Sequence, residues 1–148
     1  MNLRIVPDVI NGQVLVCVSP ADTARFAARL MRERKVAAVL VMENERLVGI
    51  ITERDMTSRV IAATRDPDST KCGEIMTGNP DTLSPNDNAS DAINMMRSRN
   101  YRHLPVVDGI KVVGMVSVRD LYAVYNTELQ QDLRDRDAFI YGENYGAA

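Results

Sequence analysis

The chain has no tryptophan, two phenylalanines, two cysteines and one histidine among its 148 residues. Each shortage narrows what the chain can do. With His103 alone there is no H-E-x-x-H pair, and neither an EF-hand loop nor a Cys/His cluster occurs, so a protein-held metal is not expected. Cys17 and Cys72 lie far apart and form no C-x-x-C, which suits ordinary thiols in a reducing compartment rather than a zinc ribbon or a disulfide framework. No G-x-S-x-G elbow accompanies His103 and no G-x-x-x-x-G-K-[ST] loop is present. Neither serine hydrolysis nor P-loop nucleotide hydrolysis is expected, and no catalytic residue is assigned.

A basic excess is missing as well. The net charge is -2 and the isoelectric point near 5.4, so no electrostatic field favours nucleic acid. The longest apolar run, "VAAVLVM" at 36–42, is far too short to span a bilayer, and "MNLRIVPDVING" has no charged stretch followed by an apolar one. A cytoplasmic chain without membrane contact is expected. What is present is a globular balance, 45% hydrophobic and 26% charged, enough to bury a core.

The dominant feature is a repeat. Shifting the chain by 65 residues aligns 19–55 with 84–120 without a gap, and 13 of the 37 pairs are identical, where composition alone gives about two or three. Among the identities are Ser19/Ser84, Pro20/Pro85, Asp22/Asp87, Met31/Met96, Gly49/Gly114, Arg54/Arg119 and Asp55/Asp120. Two copies cannot build an extended solenoid, so they are expected to pack on each other as a pseudo-twofold pair.

Each copy predicts the same elements. An extended piece runs into "SPADTA" or "SPNDNA", where Ser-Pro followed by Asp predicts a helix start. Ala24, Ala27, Leu30 and Met31, and Ala89, Ala92, Ile93 and Met96, then recur at helical spacing as a buried face. Two adjacent strands follow across turns at 43–45 and 108–109, and a second helix closes the unit. The expected fold class is therefore α/β (α+β), two β-α-β-β-α repeats. The chain divides into a first repeat at 1–63, a polar connector at 64–73, a second repeat at 74–125 and a C-terminal helix and tail at 126–148, with Leu121, Tyr125, Leu129 and Leu133 spaced four apart.

The phrase "GIITERD" at 49–55 returns as "GMVSVRD" at 114–120. At a strand end opening a helix, free backbone N–H groups favour an anion. Thr52 and Ser117 can donate to a phosphate, and Arg54 and Arg119 add charge and a forked donor set. Asp55 and Asp120 only accept, which suits ribose hydroxyls. The bland alternative is a pair of helix caps, with each carboxylate in the first turn of an exposed helix contributing about 0.3 to 1 kcal/mol.

With "EIMTGNPDTLSP" at 74–85 and "YRHLPVVD" at 101–108, these phrases resemble the paired CBS domains, or Bateman module, named for cystathionine β-synthase, in the form of a stand-alone bacterial-type two-repeat protein. The resemblance implies two facing repeats with clefts that bind adenosine compounds such as AMP, ADP, ATP, NAD(H) or S-adenosylmethionine. By matching positions, Asp55 and Asp120 would hold ribose hydroxyls, and Thr52, Ser117, Arg54 and Arg119 phosphate. Arg102 and His103, in the loop entering "LPVV" with Pro105, match a position where similar modules place basic side chains on phosphate. The implied role is a non-catalytic regulatory or sensor module, a homodimer acting on a separate protein effector. The alternative is a structural dimerisation module with vestigial clefts. The first copy reads "KVAAVLVM" where the second reads "NYRHLPVV", so the two clefts are expected to differ.

Overall fold

The computed structural model describes residues 2–142. β1 (Cys17–Val18) leads to α1 (Ala24–Arg34), the hairpin of β2 (Ala38–Glu43) and β3 (Arg46–Thr52), and α2 (Glu53–Asp55), which continues as a wider helical turn over Met56–Ile61. After α3 (Cys72–Ile75) and β4 (Thr77–Gly78), the pattern returns as α4 (Ala89–Arg99), β5 (His103–Asp108), β6 (Lys111–Ser117) and α5 (Val118–Asp137). The architecture is mixed α/β, with the repeat visible in its details. Both hairpins are antiparallel and carry a register shift at the same place, between Val41 and Met42 and between Val106 and Val107.

The helices start later than the Ser-Pro signal predicts. Ser19 N–H donates to Asp22 Oδ2 at 2.8 Å and Ser84 N–H to Asp87 Oδ2 at 2.8 Å, so each aspartate closes the Ser-Pro turn rather than the helix. Capping passes to Thr23 and Asn88, whose side chains accept from the N–H of Phe26 and of Ser90. Each helix then ends on a left-handed residue, Lys35 or Asn100, both at φ 56°. Between these ends, Ala24, Ala27 and Met31, and their counterparts Ala89, Ala92 and Met96, are buried. Alanines there let the helices lie close to the sheets.

The two cores exchange their leading segments. Ile5 and Ile10 pack in the second core with Leu83, Leu104, Val116 and Leu121, while Cys72 and Ile75 pack in the first with Val39, Ile51 and Val60. Backbone bonds reciprocate the exchange. Ile5 N–H donates to Asp87 O at 2.9 Å and Val6 N–H to Pro85 O at 2.9 Å; Cys72 N–H donates to Asp22 O at 2.7 Å and Gly73 N–H to Pro20 O at 3.0 Å.

That crossing explains the glycine of the repeated phrase. A Cβ at Gly49 would stand 2.4 Å from Met76 Sδ and 3.0 Å from Thr77 O, and one at Gly114 would stand 2.5 Å from Ile10 Cδ1. At Gly49 the crossing segment sets the Met76 side chain and the Thr77 carbonyl against the vacant Cβ position, while at Gly114 only the side-chain ends of Ile10 and Gln13 stand there. The repeats differ in how they use it. β4 pairs with β3 at Gly49↔Gly78 and Ile50↔Thr77, giving the sheet order β1-β2-β3-β4. In the second repeat, Gln13 Oε1 accepts from Met115 N–H at 2.7 Å instead, and Leu83 meets Val106 in a single bridge, so β5 and β6 form a two-stranded sheet.

Tyr125 packs against the second core, but further along α5 Leu129 and Leu133 are about half exposed. Among the described residues no helix is long and apolar enough to cross a membrane. Cys17 and Cys72 are free thiols, and burial pushes that of Cys72 up to about 11, so it serves the core in its neutral form.

Candidate functional site

The repeated phrase forms two complete capping boxes. Asp55 Oδ2 accepts from Thr52 N–H at 2.9 Å, while Asp55 N–H donates to Thr52 Oγ1 at 3.3 Å. Asp120 Oδ2 accepts from Ser117 N–H at 2.8 Å, and Asp120 N–H donates to Ser117 Oγ at 3.1 Å. Both aspartates cap through one oxygen, leaving Oδ1 outside the box. The helix-cap reading is thus met in both copies.

Their surroundings differ. Asp55 is buried, at 9% exposure, and does not stand in the exposed first turn expected of it. Its Oδ1 lies 3.7 Å from Arg59 Nε, and Arg59 Nη1 in turn donates to Ile75 O at 3.0 Å and Met76 O at 2.9 Å. Asp55 is therefore tied to the exchanged segment. Asp120 is only partly buried, and the position matching Arg59 is Val124, which offers no charge.

A cavity of about 720 Å³ opens between the repeats, in the size range of sites for small ligands. From the first repeat Thr52, Arg54 and Asp55 line it; from the second come Arg102, His103, Ser117 and Arg119. The two phrases, 65 residues apart in sequence, face one space. Asp120 and Pro105 are not among the lining residues: Pro105 is buried in β5, where its carbonyl accepts from Leu83 N–H at 2.8 Å. Arg54 reaches across the repeats, its Nη1 3.5 Å from Asn100 O, a long contact that leaves the guanidinium available for a stronger acceptor.

His103 is partly buried at the start of β5, register-paired with Ser117. Burial pushes its pKa below the ordinary histidine value; the carboxylates of Asp120 and Glu53 pull it up, and Arg102 pushes it down. The net shift favours the neutral ring.

The motif reading left out another part of the wall, the segment Asn79, Pro80 and Asp81 with Tyr101. Asp81 Oδ2 accepts from the Tyr101 hydroxyl and lies 2.6 Å from Arg99 Nη1. These two donors hold the Asp81 carboxyl below the usual range, while burial, followed by the Asp81 contact, raises the Tyr101 hydroxyl. The signal available in sequence was the substitution of "NYRHLPVV" for "KVAAVLVM", which marks Tyr101 as an aromatic its counterpart lacks. Among the described residues no group of three or more His, Cys, Asp or Glu is placed to hold a metal ion.

The CBS domain family model matches residues 8–62 and again 72–126. The chain belongs to the CBS-domain family. Its two matches are the two repeats, in tandem. The CBS domain-containing protein YhcV of Bacillus subtilis is 37% identical over 116 residues, which cover 78% of this chain and 81% of that one. The mitochondrial CBS domain-containing protein CBSX3 of Arabidopsis thaliana is 34% identical over 137 residues, 89% of this chain and 66% of the plant protein. Among solved structures, a CBS domain protein from Pyrobaculum aerophilum complexed with AMP superposes with a TM-score of 0.72 at 26% identity, covering 80% of this chain and 89% of that one. The CBS fold is therefore shared with a protein whose structure holds an adenine nucleotide.

Proposed function

We propose that this CBS pair is a non-catalytic regulatory module that binds an adenine nucleotide, AMP, ADP, ATP or NAD(H), in the cavity between its repeats. The observation that carries the reading is the convergence of Thr52 and Ser117, with Arg54, Arg102 and Arg119, on one space of about 720 Å³. Three guanidiniums facing one space suit a phosphate, since each is a charge-assisted donor with a forked set of N–H groups. In this reading the uncapped Oδ1 of Asp55 accepts from ribose hydroxyls, and Asp120 does the same on its own side of the second repeat. The AMP held by the Pyrobaculum aerophilum relative supports the ligand class.

Such a module acts in the cytoplasm by favouring one arrangement of its repeats when the ligand is bound, and passes that preference to a separate protein effector. It works as a homodimer, for which the half-exposed Leu129 and Leu133 supply apolar surface. Light scattering at micromolar concentration reads the dimer mass; a monomer rejects the dimer.

A ligand at 100 times its Kd stabilises the fold by about 2.7 kcal/mol, so thermal unfolding with AMP, ADP, ATP and NAD(H) tests the reading. Calorimetry then assigns the phosphate end: Arg102→Ala weakens AMP roughly tenfold or more and adenosine little. Equal losses for both ligands reject Arg102 as a phosphate contact.

The second reading, a structural dimerisation module, draws on the completeness of both capping boxes. No thermal shift with any of these nucleotides, in a protein that still dimerises, selects it.

A further inference from the structure

The last helix outgrows the repeat it belongs to. In the first repeat the matching helical run ends at Ile61, and at the matching position, 126, the family match ends as well, yet α5 continues to Asp137. Within the chain α5 packs on α4, β6 and residues Ile5–Val9. Those contacts bury Leu121 and part of Tyr125, while Tyr122, Leu129 and Leu133 stay 52% to 60% exposed. Spaced seven and four apart, these three side chains form one stripe along about 17 Å of helix.

The two ends of the stripe carry opposite charge. At the near end Tyr122 lines a small pocket of about 140 Å³ with Arg97 and Arg102, and no acidic residue shares that lining. At the far end Glu128, Asp132 and Asp135 follow one edge of the stripe, seven, eleven and fourteen residues after Leu121 and so on its side of the helix. That is the side on which Leu121 joins the core holding Ala92 and Met96 of α4, the helix that carries Arg97. Among the described residues neither Arg97 nor Asp132 has an ion-pair partner.

A twofold axis across the middle of α5 answers both ends at once. It sets Tyr122 opposite Leu133 of a second copy and brings the same edge of both helices together, so the acidic edge of one meets the α4 edge of the other. Such a surface is its own complement, as a closed dimer requires. We propose that α5 pairs antiparallel with α5 of a second copy, with Tyr122 against Leu133 and Asp132 of each copy beside Arg97 of the other. The proposal rests on the homodimer reading and adds the surface, its direction and its charge pairs. Exposed ion pairs contribute little affinity, but like charges brought together cost several-fold more, so Arg97 and Asp132 set the direction while the stripe supplies the burial. The first repeat has neither half of this surface. Thr57 and Ala37 stand where the second has Tyr122 and Arg102, and no overhang follows Ile61.

The test is sedimentation equilibrium on the full chain and four variants, with circular dichroism confirming that each is folded; every replaced position is exposed. Leu133→Asp raises the dimer dissociation constant by about 100-fold or more, since the change enters the interface twice. Arg97→Glu and Asp132→Arg each raise it about tenfold, and the two together in one chain return it to within about threefold of wild type. Arg97 does not line the main cavity, so its reversal leaves the nucleotide site untouched. If wild type is a monomer, the homodimer reading falls and this pairing with it. If wild type is a dimer and Leu133→Asp dimerises as tightly, the dimer stands but uses another face. If Leu133→Asp breaks the dimer while the double charge reversal is no tighter than the weaker single variant, Arg97 and Asp132 do not face each other and the antiparallel pairing is rejected.

Discussion

The two repeats carry the same phrase and put it to different uses. In the first, Asp55 is buried beside Arg59, which is bonded to the carbonyls of Ile75 and Met76, so the capping box also anchors the exchanged segment. In the second, Asp120 caps its helix without an arginine partner, and the chemistry moves to Tyr101, Arg102 and His103, where the first repeat has Val36, Ala37 and Ala38. The first repeat, with its four-stranded sheet, is the more completed scaffold; the second brings the aromatic and basic side chains to the shared cavity. A duplicated unit can therefore keep one local structure while its two copies take up different tasks, because burial and neighbours come from packing between the copies.

The comparison is most easily broken at the aspartates. Asp55→Ala removes the acceptor of Thr52 N–H in a buried setting and leaves Arg59 without its carboxylate, costing about 2 to 3 kcal/mol. Asp120→Ala costs about 1 kcal/mol, as an ordinary cap. Urea unfolding measures both, and equal losses would erase the distinction between the two boxes.

The glycines come next. Gly49→Ala drives a methyl group against Met76 and the backbone oxygen of Thr77, whereas Gly114→Ala meets only the side-chain ends of Ile10 and Gln13, which can turn aside. The expected costs are about 2 kcal/mol and about 1 kcal/mol. A Gly114→Ala protein less stable than Gly49→Ala would show that the second crossing is the tighter one.

The smallest effect sharpens the comparison through pH. Burial lowers the His103 pKa in the folded chain below its ordinary value of about 6.5, so between the two values the unfolded chain binds more protons. Stability from this group is full above about pH 6.5 and is lost as pH falls towards the folded pKa. His103→Gln, which does not titrate, therefore loses less stability than wild type between pH 7.5 and 5.5. If the two lose the same amount, His103 is not held neutral by its surroundings.

Much of this architecture could be read from residues close together in the chain. The 65-residue shift is a property of residue order alone, while the alternation of helix and hairpin and the Thr52–Asp55 and Ser117–Asp120 caps depend on contacts within a few positions, which the local order of residues records directly. The Ser-Pro-x-Asp turns show where local reading slips by a few residues, since Asp22 and Asp87 had two local partners to choose between and took the turn. Other features depended on residues far apart in the chain. No local pattern says that Ile5 completes the core around Leu104, that Arg59 reaches the carbonyls of residues 75 and 76, or that Asp81 meets Tyr101. Sequence alone determined the repeat, its elements and the candidate phosphate groups, because periodicity and capping are local. Only the tertiary structure decided the exchange of leading segments, the burial of Asp55 and the cavity of about 720 Å³ that both phrases face, because these follow from two surfaces fitting together.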